Sequence, residues 1–428
     1  MTTHKNAPVA HPRPSAIRRL FRTLGPGLVT GAADDDPSGI ATYSQVGAQF
    51  GYGLAWTMLF GYPLLASIQS VCAEIGSVTG KGIAQNLRQH YPRWLMQTVV
   101  ILLLIANVIN LGADLGAMGA ALGLLIGGPV MVYAGIFAII CVLLEIFLSY
   151  ERYAAILKWT TLSLFSYVAV VFVSGVPWGE AIRGTLIPNF TFDKAHAMAL
   201  VAVLGTTISP YLFFWQAGQE VEEQHRRHVK PLCVSPRRAK AEIKRIRIDT
   251  LVGMGFSHIT ALFIVIATAA TLNAHGITNV ESSAQAAEAL RPIAGDFAFA
   301  LFAIGIIGTG MLAVPILAGS AAYAVSESFG WVEGLDRKPR EAKAFYATIA
   351  VATIAGLTLN YIGVDPIKAL YWAAVVNGVL AAPLMVVMML IAMNPKVMGK
   401  LAVKGRLAFG GWVATGVMAM ATGAFFLS

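Results

Sequence analysis

The chain has 428 residues, of which 57% are hydrophobic and only 12% are charged, and its mean hydropathy is +0.67. This composition excludes a soluble globular domain, because the polar residues are too few to cover an apolar core. The net charge of +9 does not indicate a nucleic-acid partner, since the basic residues lie between apolar runs rather than in one stripe on a soluble face. We therefore expect an integral membrane protein that binds no nucleic acid.

Apolar runs long enough to cross about 30 Å of hydrocarbon, or roughly 20 residues each, recur along the chain. They predict eleven transmembrane helices, at 24–48, 54–78, 95–121, 129–149, 155–177, 197–219, 249–273, 296–326, 344–361, 367–393 and 408–427. Residues 1–23 are polar and basic and lack the apolar core of a signal peptide, so we predict that they form a cytoplasmic tail.

The distribution of Lys and Arg predicts how these helices are oriented across the membrane. If the tail is cytoplasmic, all but four of the 31 fall in the tail or in segments that face the cytoplasm. The four exceptions are Arg183, Lys194, Arg291 and Lys368. The positive-inside rule then predicts a multi-pass inner-membrane protein with a cytoplasmic amino terminus and an external carboxyl terminus.

A long polar insertion, the cytoplasmic loop 220–248, follows the sixth predicted span, which is the first span of the second group of five. The arrangement predicts two five-helix repeats of opposite orientation, at 24–177 and 197–393, joined by an external loop at 178–196. An eleventh helix follows in 394–428. Inverted-repeat transporters bind their substrates at mid-membrane on interrupted helices, so the first and sixth spans should both be interrupted.

Both spans carry residues that interrupt a helix. Span one contains three consecutive acids followed by Pro37, and span six contains Gly205 and Thr206 shortly before Pro210. Proline removes a backbone donor and frees carbonyl groups about four residues upstream. Such backbone is tolerated at membrane depth only where protein or a cavity surrounds it, and free carbonyls there can bind a cation.

The three acids of span one cannot all face lipid, because one Asp at mid-span already costs about 2.5 to 3.5 kcal/mol. We predict that Asp36, directly before the proline, points into the pocket. Asp34 and Asp35 are candidates for the transport pathway or a proton relay, as is Tyr211; alternatively, Asp34 and Asp35 line a solvated vestibule or cap the second half-helix. Asp114, flanked by glycines in span three, is either an acid of the transport pathway or a polar contact at a close helix crossing.

The span-one sequence GPGLVTGAADDDPSGIATYSQVGAQFGYGLAW resembles the first helix of the Nramp divalent-metal transporters, in which a D-P-G-N break is followed by A-T and G-A-Q-F-G-Y. The stretch VTGKGIAQNLRQHYP at 78–92 resembles the turn and short amphipathic helix after that family's second span, and Asp114 with Gly119 fits its third. The likeness covers nearly the whole chain. It implies an all-α membrane protein with the LeuT-type five-plus-five inverted repeat plus one extra helix.

The resemblance implies a metal site at the two breaks. Asp36 falls on the family's coordinating aspartate, and Ala33 falls on the residue whose carbonyl approaches the ion. Gly39 stands where the family has its coordinating asparagine, Ser209 where it has a methionine sulfur, and Thr206 where an alanine offers its carbonyl. Two side-chain ligands are therefore changed.

The resemblance also locates the family's proton route, and several of its groups are replaced here. Tyr211 occupies the position of the family's span-six histidine, and Ala117 falls where a glutamate follows the span-three aspartate. Predicted span nine contains no arginine. These departures make the chain similar to the Nramp-related magnesium transporters, and we expect weak proton coupling or none.

The changed ligands favour a hard ion. A thioether favours transition metals, whereas hydroxyl, carboxylate and carbonyl oxygens suit Mg²⁺ and Mn²⁺, and Mg²⁺ keeps several of its waters. Alternatively, the pocket recruits another side chain, such as Asn377 in span ten, and carries Mn²⁺ or Fe²⁺. The predicted substrate is a divalent cation, with Mn²⁺ and Mg²⁺ as the leading candidates.

Two other classes of function remain open at this point. Asp36 and Asp114 could form the acid pair of an intramembrane aspartyl protease, although the G-x-G-D and Y-D settings of such enzymes are absent. A carrier of a small organic solute would use the same fold, but Asp36 would repel a substrate carboxylate. We expect a transporter rather than an enzyme, with no cofactor, the lipid bilayer as its surroundings and no prediction for its oligomeric state.

Overall fold

The computed structural model describes residues 25–147, 164–189, 191, 193–363 and 365–427. Within these residues every regular element is a helix, and none is a β-strand. The predicted tail at 1–23 lies outside the described residues, as does the connection between predicted spans four and five.

Proline and glycine set many of the helix ends in the first half of the chain. The helices are α1 (Pro26–Asp34), α2 (Pro37–Phe50), α3 (Trp56–Thr79), α4 (Ile83–His90), α5 (Arg93–Ile126), α6 (Val130–Phe147), α7 (Phe165–Val173) and α8 (Trp178–Leu186). Helix α3 ends where Gly80 adopts a left-handed conformation, with φ of 67°, and its N–H bonds the Gly76 carbonyl.

The second half of the chain contains the longest helices after α5. Its helices are α9 (Lys194–Thr207), α10 (Pro210–Arg226), α11 (Ala239–Thr271), α12 (Ser283–Glu288), α13 (Arg291–Ala294), α14 (Ala298–Phe329), α15 (Lys343–Leu359), α16 (Pro366–Met393), α17 (Pro395–Met398) and α18 (Gly405–Leu427). Short 3-10 segments lie at Pro236–Arg238, Asn273–His275, Gly295–Phe297, Asn360–Ile362 and Gly399–Leu401.

The predicted loop 220–248 is largely helical, which corrects the sequence prediction. Helix α10 continues to Arg226, and α11 begins at Ala239. Ion pairs between neighbouring turns stabilise these polar ends, because Glu242 lies 2.7 Å from Arg245, three residues later on α11. The connection between the two helices is therefore limited to residues 227–238.

Eight helical stretches among the described residues are long and apolar enough to cross a membrane. They correspond to predicted spans two, three, four, six, seven, eight, ten and eleven. Predicted span nine is the shorter helix α15, predicted span one consists of the two short helices α1 and α2, and only the α7 part of predicted span five is described. The all-helical membrane architecture is confirmed, and the count of eleven crossings stays a prediction.

The predicted interruptions of spans one and six are both present. Helix α1 ends at Asp34 and α2 starts at Pro37, with Asp36 between them as the N-cap residue of α2. Helix α9 ends at Thr207 and α10 starts at Pro210. In each case proline occupies the first helical position, where its missing N–H leaves no hydrogen bond unmade.

Each half-helix packs closely on a continuous helix. A side chain at Gly31 of α1 would collide with the Gly253 carbonyl of α11, and one at Gly205 of α9 would collide with α16 at Gly378. Asp249 of α11 also caps α1, because its carboxylate accepts from the N–H groups of Gly25, Gly27 and Leu28 at 2.9 to 3.1 Å. The glycine contacts thus bring both breaks into the middle of the bundle.

Buried acids join three helices at the end of the bundle that is predicted to face the cytoplasm. Glu222 of α10 accepts a hydrogen bond from the Tyr323 hydroxyl of α14, and Glu327 of α14 accepts one from Gln85 N of α4 at 3.0 Å. Burial and the charges of Glu327 and Glu222 raise the pKa of the nearby Glu333 above its usual value.

Candidate metal-binding site

The Asp36 carboxylate lies at the amino terminus of α2 and is held by four donors. Its Oδ1 accepts from Gly39 N and from Ser38 Oγ, both at 2.7 Å. Its Oδ2 accepts from Asn110 Nδ2 at 3.1 Å and from the Tyr211 hydroxyl at 3.3 Å. The side chain therefore satisfies one of the free N–H groups at the start of α2 and also contacts α5 and α10.

Residues of the second break meet those of the first. The Tyr211 hydroxyl lies 3.1 Å from the Ala33 carbonyl oxygen as well as 3.3 Å from Asp36. It has one proton, so it donates to only one of the two oxygens at a time. The Ser38 and Thr206 hydroxyl oxygens are 3.2 Å apart. A carboxylate, a carbonyl and three hydroxyl groups from the two broken helices thus lie close together.

Asn110 of α5 is a residue of this site that the sequence interpretation missed. Its Nδ2 lies 3.1 Å from Asp36 and 3.4 Å from Asp114, and its Oδ1 accepts from Asn377 Nδ2 at 3.2 Å. A signal was present, because Asn110 precedes Asp114 by four residues and so lies on the same helix face. Asn110 links α5 and α16 to the Asp36 carboxylate.

The other predicted ligands differ in what they contact. Gly39 offers its backbone N–H to Asp36 and has no side chain to offer an ion. The Ser209 hydroxyl bonds to the carbonyls of Gly205 at 3.0 Å and Thr206 at 2.8 Å, so these two carbonyls are not as free as the sequence suggested. Asn377 reaches Asp36 only through Asn110.

Asp34 and Asp35 point to a different helix. The Ser257 hydroxyl of α11 lies 2.6 Å from the Asp34 carboxylate and 3.1 Å from that of Asp35. Both acids are fully buried, so the expectation that they line a solvated vestibule is wrong. The cap of α2 is Asp36, so the expectation that one of them caps this helix is also wrong. Both acids therefore contact α11 through Ser257, which is not among the four donors to Asp36.

The site offers one carboxylate and several neutral oxygens to an ion. In the part of the chain that the structure describes, no group of three or more His, Cys, Asp or Glu side chains has a metal-binding arrangement. Mg²⁺ usually binds through one or two carboxylates and keeps several waters, so the oxygen set at Asp36 and Ala33 fits a hard, partly hydrated cation.

The whole site is closed to solvent in this conformation. The side chains of Asp36, Thr206 and Tyr211 are each no more than 1% exposed. The same is true of Asn110 and Asn377. An ion can therefore enter or leave only if some of the surrounding helices move.

The chain matches a known family along nearly its whole length. The family model described as "Natural resistance-associated macrophage protein-like", or Nramp, matches residues 27–428. Three curated relatives are each named "Divalent metal cation transporter MntH". The one from Klebsiella pneumoniae (strain 342) is 25% identical over 408 residues, covering 94% of this chain and 92% of the relative.

The two other relatives are slightly more similar over shorter stretches. The Brucella suis biovar 1 protein is 27% identical over 359 residues, covering 81% of this chain and 75% of the relative. The Verminephrobacter eiseniae protein is 27% identical over 300 residues, and that match covers 68% of this chain and 65% of the relative's length.

Two solved structures share the fold. The manganese transporter of Eremococcus coleocola, bound to an aromatic bis-isothiourea compound, superposes with a TM-score of 0.76 at 17% identity, covering 96% of this chain and 87% of that chain. The inward-facing conformation of Mhp1 gives a TM-score of 0.56 at 14% identity, covering 94% and 90%. At these identities the likeness concerns the fold alone.

Replacing Asn110 tests whether it orients the Asp36 carboxylate. We expect Asn110→Leu to weaken Mn²⁺ binding by about 10- to 100-fold, because groups that orient a ligand contribute on that scale. Isothermal titration calorimetry on the purified protein measures the affinity. Asn107→Leu is the matched control, since Asn107 is buried one turn away on α5 and bonds Leu317 O at 2.9 Å rather than the site. Equal affinities for the two variants would contradict the role of Asn110.

Proposed function

The chain belongs to the Nramp family, and from this membership and the geometry of the two broken helices we propose that it is a secondary transporter of divalent metal cations. The observation that carries the proposal is the buried Asp36 carboxylate beside the Ala33 carbonyl, at a helix break that meets a second break. An ion held there has one full negative charge and several dipoles around it. Relatives named as divalent metal cation transporters support the same substrate class.

We propose that transport proceeds by alternating access. The site is buried, so an ion must wait for one side of the bundle to open. The half-helices α1 and α10 are the proposed moving parts, since α1 ends at the site, α10 begins there, and each is joined to its other half by a short non-helical link. Helical halves that meet at mid-membrane are the usual construction of inverted-repeat transporters.

The proposed topology has eleven crossings, arranged as two inverted five-helix repeats and one extra helix, in the inner membrane. The concentration of Lys and Arg between the predicted spans supports a cytoplasmic amino terminus and an external carboxyl terminus. With this orientation, the polar ends of α10 and α11 face the cytoplasm.

Mn²⁺ and Mg²⁺ are the proposed ions, with Fe²⁺ as a further candidate. The oxygen groups at the break suit hard cations, and Mn²⁺ is compatible with oxygen sets as well as with softer donors. Ser209 provides a hydroxyl and no sulfur at the place where the resemblance expects a methionine. Discrimination against Mg²⁺ should therefore be weak.

The protease alternative lacks support. Asp36 and Asp114 do not face each other directly, since the amide of Asn110 lies between them and bonds both. An acid pair that shares a catalytic water would need an open space between the carboxyl groups. The named relatives are transporters and not enzymes.

Asp36→Asn should abolish Mn²⁺ uptake into proteoliposomes, because it removes the one charged ligand of the site. Asn is as good an N-cap as Asp, so α2 should still form and the variant should still insert into the membrane. Asp34→Asn is the comparison, since Asp34 faces Ser257, and we expect it to keep uptake within about fivefold of wild type, a loss of roughly 1 kcal/mol. Equal loss in both variants would mean that the ion is not bound chiefly by Asp36.

Ser209→Met should shift selectivity towards Cd²⁺ and Mn²⁺ at the expense of Mg²⁺, because it introduces a soft donor beside the α10 break. The measurement is competition of each cation against labelled Mn²⁺ uptake. Ser209→Leu controls for the loss of the hydroxyl bonds to Gly205 and Thr206 without adding sulfur. An unchanged profile in Ser209→Met, or the same shift in Ser209→Leu, would rule out a role for the sulfur.

We propose that uptake is driven by the electrochemical gradient of the ion itself. No histidine is among the hydrogen-bond partners that the structure describes for Asp36 and Asp114. Histidine and chains of acids are the usual proton relays in membranes. A divalent cation that enters a compartment 100 mV negative inside gains about 4.6 kcal/mol, which suffices for accumulation without a proton.

Uncoupled transport predicts metal entry without acidification. Liposomes that hold the protein and a pH dye are clamped at a negative potential with potassium and valinomycin, and Mg²⁺ or Mn²⁺ is then added. We expect the internal pH to change no more than in empty liposomes. Stoichiometric acidification that disappears in Asp114→Asn would instead show that a proton relay survives.

A further inference from the structure

Helix α11 is longer than a membrane crossing requires. Its 33 residues correspond to about 50 Å of helix, whereas the hydrocarbon core is about 30 Å thick. The apolar part begins after Asp249, so the first three turns, Ala239–Ile248, extend beyond the hydrocarbon on the side that is predicted to be cytoplasmic. We call these turns the arm, and from the predicted span we expect them to lie at the level of the lipid headgroups.

The inner face of this arm is paired with the protein. Arg245 lies 2.7 Å from Glu242 and 3.1 Å from Glu220 of α10. Glu242 also pairs with Arg227, and Asp249 caps α1. The charges on this face are therefore balanced by groups of the same bundle.

The outer face of the arm carries exposed basic side chains. Lys240 and Lys244 are exposed, and neither forms an ion pair with a described residue. Arg247 pairs with Glu74 of α3 at 2.6 Å, but 46% of its side chain is still exposed. Unlike the inner face, this face has two positive charges without acidic partners.

A groove runs along this outer face. Its volume is about 290 Å³, and it is lined by Lys240, Ile243, Lys244, Arg247 and Ile248. The basic groups and the two isoleucines alternate along the same side of the helix, because their spacing of three to four residues places them one above another. The groove is therefore a shallow, open depression on one helix face, where basic groups and two isoleucines lie side by side.

The apolar character continues along α11 into the membrane. Leu251, Val252 and Ile259 are exposed large hydrophobic residues beyond the groove. A ligand that fits both regions needs a negative head next to acyl chains. Charge complementarity with the two unpaired lysines excludes a zwitterionic head as the preferred ligand, and a soluble anion would leave the isoleucines uncovered.

We propose that the groove at Lys240, Lys244 and Ile248 binds an anionic phospholipid, with its phosphate at the lysines and its acyl chains against Ile248 and Leu251. Basic residues at the cytoplasmic surface of a membrane attract anionic headgroups, and each contributes on the order of 1 kcal/mol. The binding does not depend on which ion the protein carries, so its failure would leave the transport proposal unaffected.

Native mass spectrometry of the detergent-purified full chain tests this site. Phosphatidylglycerol or phosphatidylcholine with identical acyl chains is added, and the fraction of protein that carries lipid is measured. We expect a clear preference for phosphatidylglycerol, and we expect the double substitution Lys240→Gln with Lys244→Gln to weaken its binding by about tenfold or more. The double substitution Lys396→Gln with Lys404→Gln removes the same charge from the same predicted side and should bind as wild type does.

Three results would overturn the proposal. Equal retention of the two lipids by the wild type would mean that the headgroup charge is not recognised. Equal loss of phosphatidylglycerol in the two double variants would indicate a general charge effect. Displacement by glycerophosphoglycerol, the headgroup without acyl chains, at the same concentration as the lipid would indicate a site for soluble phosphates.

Discussion

A buried carboxylate at a helix amino terminus is the interaction on which the proposed site depends. An isolated charge inside a membrane protein costs several kcal/mol unless other groups compensate it. Asp36 is compensated by the free N–H of Gly39 and by neutral side-chain donors from α2, α5 and α10. These donors hold the carboxylate in one orientation without a basic partner among its described contacts. A cation is the partner that would balance it.

The helix contacts put this carboxylate where a transporter needs it. Helix α1 packs closely on α11 at Gly31 and Gly253, and α9 packs closely on α16 at Gly205 and Gly378. Small residues of this kind let helix backbones approach closely in a membrane. These contacts bring the two breaks together inside the bundle, and the non-helical links are the points at which we propose that the half-helices change angle. The same scaffold explains why the proposed ion site is buried.

Local residue chemistry was enough to predict the two interruptions, because proline and consecutive acids disfavour an unbroken apolar helix. Partners distant in sequence could not be predicted in this way. Ser257 lies more than 200 positions from Asp34 and Asp35, and nothing in the local pattern of α11 indicates that its hydroxyl faces them. The expectation that Asp34 and Asp35 line a solvated vestibule failed because their contact with Ser257 could not be predicted from local sequence. Asn110, by contrast, could have been predicted, because it lies four residues before Asp114 on the same helix face. The high density of charged residues in 220–248 predicts a loop, but oppositely charged pairs three residues apart, such as Glu242 with Arg245, also stabilise a helix. Charge density alone therefore does not locate the helix ends.

The most direct test of a metal site at Asp36 is anomalous diffraction from crystals of the protein grown with Mn²⁺. We expect an anomalous peak within ligand distance, about 2.0 to 2.6 Å, of the Asp36 carboxylate and the Ala33 carbonyl oxygen. The same peak should be absent from crystals of Asp36→Asn. A peak at Asp34, Asp35 and Ser257 with none at Asp36, or a peak that persists in Asp36→Asn, would contradict the assignment of the site.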